Sequence, residues 1–254
     1  MGVVMAAGEA KSIPAKLKHD AIVEALFEIR FEMTAIPEVF FGRLAEYAPW
    51  KGFTQAPMPA YNIPAAFRQA DPNLRYQPVF ALVEGVERAV RIGPQVLSYH
   101  RRIPYVGWAK FKPELEEVIA GVFEKADGLH VERLGLRYLN ALRTDVHGIK
   151  SISDLNLKLE IAGERVSGNA NVNFTTGDSS DTVCTVRIAT TEFIQGDLPA
   201  NTSVYVDVDV FTKKGFETRD EAVVKNWIEA AHTKEKEQFF RLLTDATIES
   251  LKEK

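Results

Sequence analysis

Apolar residues recur at every second position in several stretches of the chain, the period of a β-strand with one face buried. The longest such stretch is 131–143, V-E-R-L-G-L-R-Y-L-N-A-L-R. Leu134, Leu136, Tyr138 and Leu142 fall on one face with Asn140 among them, and Arg133, Arg137 and Arg143 fall on the other with Val131, Gly135, Leu139 and Ala141. Leu and Arg also form helices readily, but the clean alternation and the mid-segment glycine favour a strand. A glycine inside a strand marks a bulge or a close approach of another backbone, so a bend or a crossing segment is expected at Gly135. Residues 21–32 give a second strand, with Val23, Ala25, Phe27, Ile29 and Phe31 on the apolar face. Glu24, Glu28, Arg30 and Glu32 lie opposite, together with Ile22 and Leu26.

Other elements follow by the same reading. Thr34 as cap and Pro37 in the first turn predict a helix to about residue 48. Prolines at 49, 57, 59, 64, 72 and 78 exclude a long helix or central strand over 49–78. The aromatic residues interleaved with them predict an ordered cover over one end of a sheet. A hairpin is expected over 79–83 and 88–92, turning at Glu84-Gly85, with a further strand at 95–100. A helix beginning at Pro113 and ended by Gly128 carries the stripe Leu115, Val118, Ile119, Val122 and Phe123. Alternation over 155–161 predicts another strand, and 169–175 pairs with 182–190 through the turn T-G-D-S-S-D. In 203–212, Val204, Val206, Val208 and Val210 face one way and Tyr205, Asp207, Asp209 and Phe211 the other. Thr218 with Glu221 reads as a capping box, opening a helix that buries Val223, Val224, Trp227 and Ile228. A last helix is expected from near Thr233 to about Leu251.

Runs of strands punctuated by helices predict an α+β fold, an antiparallel curved sheet with helices packed on one face. Residues 1–16 read as a loose tail and 17–254 as a single domain. Its halves, 17–126 and 127–254, each open on a long strand carrying arginine and end in a helix, which suggests loosely related units.

The composition, 46 % apolar and 26 % charged with a net charge of −4, is that of a soluble globular protein and gives no basic footprint for nucleic acid. No apolar run is long enough for a membrane span, and the first residues lack the pattern of a signal peptide. A cytoplasmic, bacterial-type protein is expected. The single cysteine, Cys184, excludes a disulfide framework and a cysteine zinc site; it faces with Val186 and Ile188 and reads as core.

Two stretches, A-I-V-E-A-L-F-E-I-R-F at 21–31 and E-R-L-G-L-R-Y-L-N at 132–140, resemble the signature segments of a sporadically distributed bacterial family of unknown function. That family is marked by a PIVEA-like first strand and a central RLGLRYIN-like strand. A late helix opening on His and closing on Phe-Phe is also similar, here at 232–240. The match runs in order from about residue 18 to the C-terminus and departs at Asp20, where proline or an apolar residue is usual, and at Ala141-Leu142, where Arg-Ile is usual. The resemblance implies no activity; the family's scattered distribution suits a mobile or defence-associated gene.

No P-loop, G-x-G-x-x-G, H-E-x-x-H or G-x-S-x-G sequence is present, and the histidines at 19, 100, 130, 147 and 232 are scattered. Charged residues instead recur on the polar faces of the strands. Arg30, Arg133, Arg137 and Arg187 are the candidate ligand-binding residues, and Asp207 with Asp209, two apart on one strand, the candidate metal pair. Two readings follow. In the first, the polar face is open and the protein is a non-enzymatic interaction module that binds a protein partner or itself, with no cofactor. In the alternative, the sheet curls so that these faces line a cavity, arginines clamp phosphates and the aspartates hold Mg²⁺ for a phosphate- or nucleotide-bearing ligand. The opening E-x-E-x-K of triphosphate-tunnel enzymes is absent. Arg133 and Arg137 are expected to be framework charges paired with neighbours such as Glu24 and Glu28.

Overall fold

The computed structural model describes residues 13–14, 17–166, 168–176 and 182–252. In chain order its elements are β1 (Ile22–Glu32), α1 (Pro37–Ala45), β2 (Thr54–Pro57), α2 (Ala65–Ala70), β3 (Phe80–Glu84), β4 (Arg88–Gly93), β5 (Val96–Arg102), α3 (Trp108–Lys125) and β6 (His130–Arg143). There follow β7 (Glu160–Ile161), β8 (Glu164–Arg165), β9 (Asn171–Thr176), β10 (Thr182–Thr190), β11 (Thr202–Thr212), α4 (Glu221–Arg241) and α5 (Asp245–Leu251). Nine strands form one antiparallel sheet in the order β2-β3-β4-β5-β1-β6-β11-β10-β9. It has two free ends and does not close. Four strands lie beyond β1 and three beyond β6, but the two sides share a pattern: each long central strand is flanked by the last strand of its own half, and a long helix follows that strand.

The helices cover the apolar face. Phe27, Ile29 and Phe31 of β1, Leu134, Leu136 and Tyr138 of β6, and all four valines of β11 are completely buried in one core with Leu115 and Ile119 of α3 and Val224 and Ile228 of α4. Burying each such side chain is worth about 1.5–3 kcal/mol. A one-residue slip of β11 would turn all four valines outward, so the register is firmly set. Cys184 lies in this core, where burial pushes its thiol up to about 11.

Two register shifts correct the faces expected for the central strands. Arg30 is opposite Arg133 but Phe31 is opposite Val131, so Glu132 is an extra residue and Val131 turns into the core. Ile22 is opposite Asn140 and Glu24 opposite Leu139, which makes Val23 extra and sends Ile22 to the core side. Gly135 itself keeps register. The group that approaches it closely is the Arg133 guanidinium, whose Nη1 would lie 3.2 Å from an added Cβ.

Helix limits differ where tertiary contacts override local signals. Thr34 does not cap α1; its hydroxyl donates to the Asp127 carbonyl, 3.0 Å away, and Ile36 holds the cap position. α3 begins at Trp108 and contains Pro113 in its second turn. Thr218 accepts from the Asp220 amide, and Asp220 is the residue that caps α4 through the Ala222 amide. α4 runs through Thr233, whose hydroxyl bonds back to the Glu229 carbonyl, and the break comes instead at Thr244, the cap of α5. Val223 is exposed rather than buried. The expected strand over 155–161 is irregular chain, following a 3-10 turn at Ile152–Asp154 and ending in the two-residue β7. The turn at 177–181 lies outside the described residues, as do 1–12 and 15–16 of the expected tail; Ile13 packs against the core. No helix among the described residues is long and apolar enough to cross a membrane.

Candidate functional site

On the polar face, the register gathers the candidate residues that the sequence singles out. Arg30 stands opposite Arg133, Arg137 opposite Asp209, and Arg187 opposite Asp207. Most of these charges are already paired. Glu28 accepts from Arg30 at 2.8 Å and from Arg133 at 2.7 Å. Arg137 holds both oxygens of Asp207, at 2.7 and 2.5 Å. That fork is the strong geometry for a guanidinium and a carboxylate. Arg187 turns away, donating to Asn171 and to the Phe193 carbonyl. Burial pushes the Asp209 carboxyl up to about 6, against the pull of Arg133 and Arg137. A metal ion at Asp207 would have to displace the Arg137 guanidinium, and the described residues offer no group of three or more metal-ligating side chains. Arg133 and Arg137 are thus held in framework pairs, with Glu28 and Asp207 as partners.

A different set of residues encloses a cavity of about 350 Å³ on the helical face, within the size range of small-molecule sites. Its floor is the end of the central strand pair, Ile22 of β1 with Tyr138 and Asn140 of β6. Tyr105 and Trp108, at the entry to α3, form one wall. His232, Glu235, Phe239 and Phe240 of α4 form the other. Gly107, at φ +81°, takes a backbone conformation that a side chain would disfavour, and Trp108 follows it directly. The Trp108 and His232 rings then stack at 3.9 Å between centroids. Lys112 of α3 pairs with Glu229 of α4, fixing the two helices on either side of that stack.

The polar groups of the cavity fall into two sets. The first is a chain of weak contacts: Tyr105 to Tyr138 at 3.2 Å between hydroxyls, and Tyr138 to His232 Nδ1 at 3.4 Å. Burial raises both tyrosines well above their ordinary range and, with the Lys236 charge, lowers His232 to about 4, so all three are neutral near pH 7. The second is Glu235. It is 5 % exposed, and among the described residues its carboxyl makes no hydrogen bond or ion pair. Burial, then the nearby Asp20 charge, pushes it up to about 8; Lys236 opposes this without coming within ion-pair distance. The Glu235 oxygens are not sealed off: they open into the cavity, where water or a ligand group can meet them.

Sequence reasoning missed this cavity, although its signals were present. Asn140 interrupts the apolar face of β6. Glu235 interrupts the buried stripe of α4, which runs through Val224, Ile228, Ala231, Glu235 and Phe239 at helical spacing. The three segments that carry the family resemblance also meet here, through Ile22, Tyr138 and His232. A comparison with models of protein families finds no match to the chain. A comparison with curated proteins likewise finds none.

Proposed function

We propose that the protein binds a small molecule in the helix-side cavity, one with an apolar body and a positively charged nitrogen. The observation that carries this reading is Glu235, a largely buried side chain with no hydrogen bond or ion pair to a described residue, whose carboxyl opens into an aromatic-lined cavity. A cation supplies what the site lacks. It would let Glu235 ionise, and it would lie among the aromatic rings of Trp108, Tyr105, Phe239 and Phe240 that line the cavity. Desolvated cation–π contacts are worth about 2 kcal/mol each. Asp20 at the exposed side of the cavity adds negative potential for the same ligand. A neutral ligand gains neither term.

The polar sheet face favours an interaction module or a phosphate site less, because Glu28 and Asp207 already occupy its central arginines. The test is thermal denaturation with benzyltrimethylammonium and benzylamine beside benzyl alcohol. The two cations should raise the melting temperature and the alcohol should not. Equal shifts with all three, or none with either cation, would overturn the reading.

A further inference from the structure

The polar face carries a second constellation, independent of the helix-side cavity. Ser98 and His100 are two residues apart on β5 and so project from the same face, while Leu97 and Tyr99 between and beside them enter the core. Glu24 projects from the neighbouring β1. The Ser98 hydroxyl lies 2.9 Å from His100 Nε2, and His100 Nδ1 lies 2.7 Å from a Glu24 carboxylate oxygen. A carboxylate at Nδ1 accepts the hydrogen bond from Nδ1–H and so favours that tautomer, which leaves the Nε2 lone pair facing the serine. That is the order of contacts by which a histidine activates a hydroxyl nucleophile.

Both faces of β5 are buried, because the proline-rich stretch 58–78 folds back over the polar side. Between that stretch and the sheet runs a solvent-accessible groove of about 590 Å³. Ser98, His100 and Glu24 line it, with Tyr76 and Gln77 opposite. Arg91 lines it too, directly across from Ser98 on β4. Unlike Arg133 and Arg137, the Arg91 side chain makes no hydrogen bond or ion pair with a described residue. Burial, with the Arg91 and Arg102 charges, holds His100 below its ordinary range despite Glu24, so it is neutral and able to accept a proton. Burial works against the Glu24 carboxylate, but the His100 contact and the Arg102 and Arg91 charges outweigh it and keep it ionised.

The geometry points to Ser98 as a nucleophile, activated by His100 and oriented through Glu24, for hydrolysis of a small carboxylic ester in the groove. In the first step the Ser98 oxygen bonds to the acyl carbon while its proton passes to His100 Nε2. The carbonyl electron pair moves to oxygen, where the Arg91 guanidinium faces the developing charge. Collapse breaks the bond to the alcohol, which takes the proton from His100. Water then attacks the acyl-serine, passes its proton to His100, and the carboxylic acid leaves as the proton returns to Ser98. The sum is ester plus water to acid plus alcohol. His100 acts on the reacting atoms; Glu24 is a positioning residue.

Exposure of the folded full-length chain to a fluorophosphonate should give a single mass adduct on Ser98, lost if the chain is first unfolded. Turnover of 4-nitrophenyl acetate should fall by about a hundredfold or more in Ser98→Ala and in His100→Asn. Glu24→Gln should lower kcat by about tenfold or more with KM little changed, because it disturbs orientation rather than binding. The wild-type labelling needs no variant to fold. Absence of an adduct on Ser98 in the folded protein, or undiminished turnover in a folded Ser98→Ala protein, overturns the assignment.

Discussion

Arg137 grips both carboxylate oxygens of Asp207 across the β6–β11 pair, and the two ends of that grip are unequal. The Asp207 side chain is 6 % exposed and that of Arg137 40 % exposed. Removing the arginine strands a carboxylate in the sheet, whereas removing the aspartate leaves a guanidinium that water can still reach. Breaking a buried pair from one side costs about 3–5 kcal/mol, and the exposure of Arg137 reduces that. Arg137→Ala should therefore cost about 2–3 kcal/mol and Asp207→Asn distinctly less. Urea unfolding of the two variants measures the difference, and equal costs would contradict it.

Glu235 and His232 tilt stability with pH in opposite directions. The Glu235 pKa is raised from 4.5 to about 8 on folding. Above pH 4.5 the unfolded chain releases this proton and the folded chain keeps it, so stability falls as pH rises through about 8. His232 is lowered from 6.5 to about 4, and its contribution is lost as pH falls from 6.5 through 4. Between pH 6.5 and 8 the Glu235 effect acts without the histidine's opposition. Over that range the wild type should lose stability while Glu235→Gln stays level, and the variant should be more stable at pH 8 by on the order of a few kcal/mol. Chemical unfolding at intervals across this window checks it.

The start of α4 tests how a helix end is chosen. Asp220, not Thr218, accepts the Ala222 amide, and Thr244 accepts the Thr247 amide at the start of α5. Asp220→Ala and Thr244→Ala should each cost about 1 kcal/mol. Thr218→Ala, which loses only an exposed contact to the Asp220 amide, should cost less. The midpoints of denaturant unfolding rank the three.

Strand periodicity was legible because one face of each long strand is buried without interruption: β1, β6 and β11 lie where alternation predicts them. The bulges at Glu132 and Val23 were not, since an extra residue is defined by the partner strand and leaves no local mark. Local signals misled where a longer-range contact was better. Thr34 spends its hydroxyl on Asp127 rather than on a helix cap, and α4 continues through Thr233 because Ala231, Glu235 and Phe239 extend its buried face. The paired charges of the polar face were foreseeable as charges. Of the partners expected for Arg133 and Arg137, Glu28 does meet Arg133, but Glu24 goes to His100 and Arg102; Arg137 instead takes Asp207, diagonal to it on β11, a pairing that only the register reveals. Glu235 was overlooked as one charged residue in a charged segment, K-E-K-E. Only its place on the buried stripe distinguishes it from Glu237, which is exposed.

The most direct test is isothermal titration of the full-length protein with benzyltrimethylammonium between pH 6 and 9. A cation that meets an ionised Glu235 must expel its proton below about pH 8. Affinity should rise with pH up to that point and then level off. The enthalpy at pH 7 should vary with the ionisation enthalpy of the buffer, reporting close to one proton released. In Glu235→Gln both the pH dependence and most of the affinity should vanish. Binding of undiminished strength in Glu235→Gln, with no proton released from the wild type, would contradict the account.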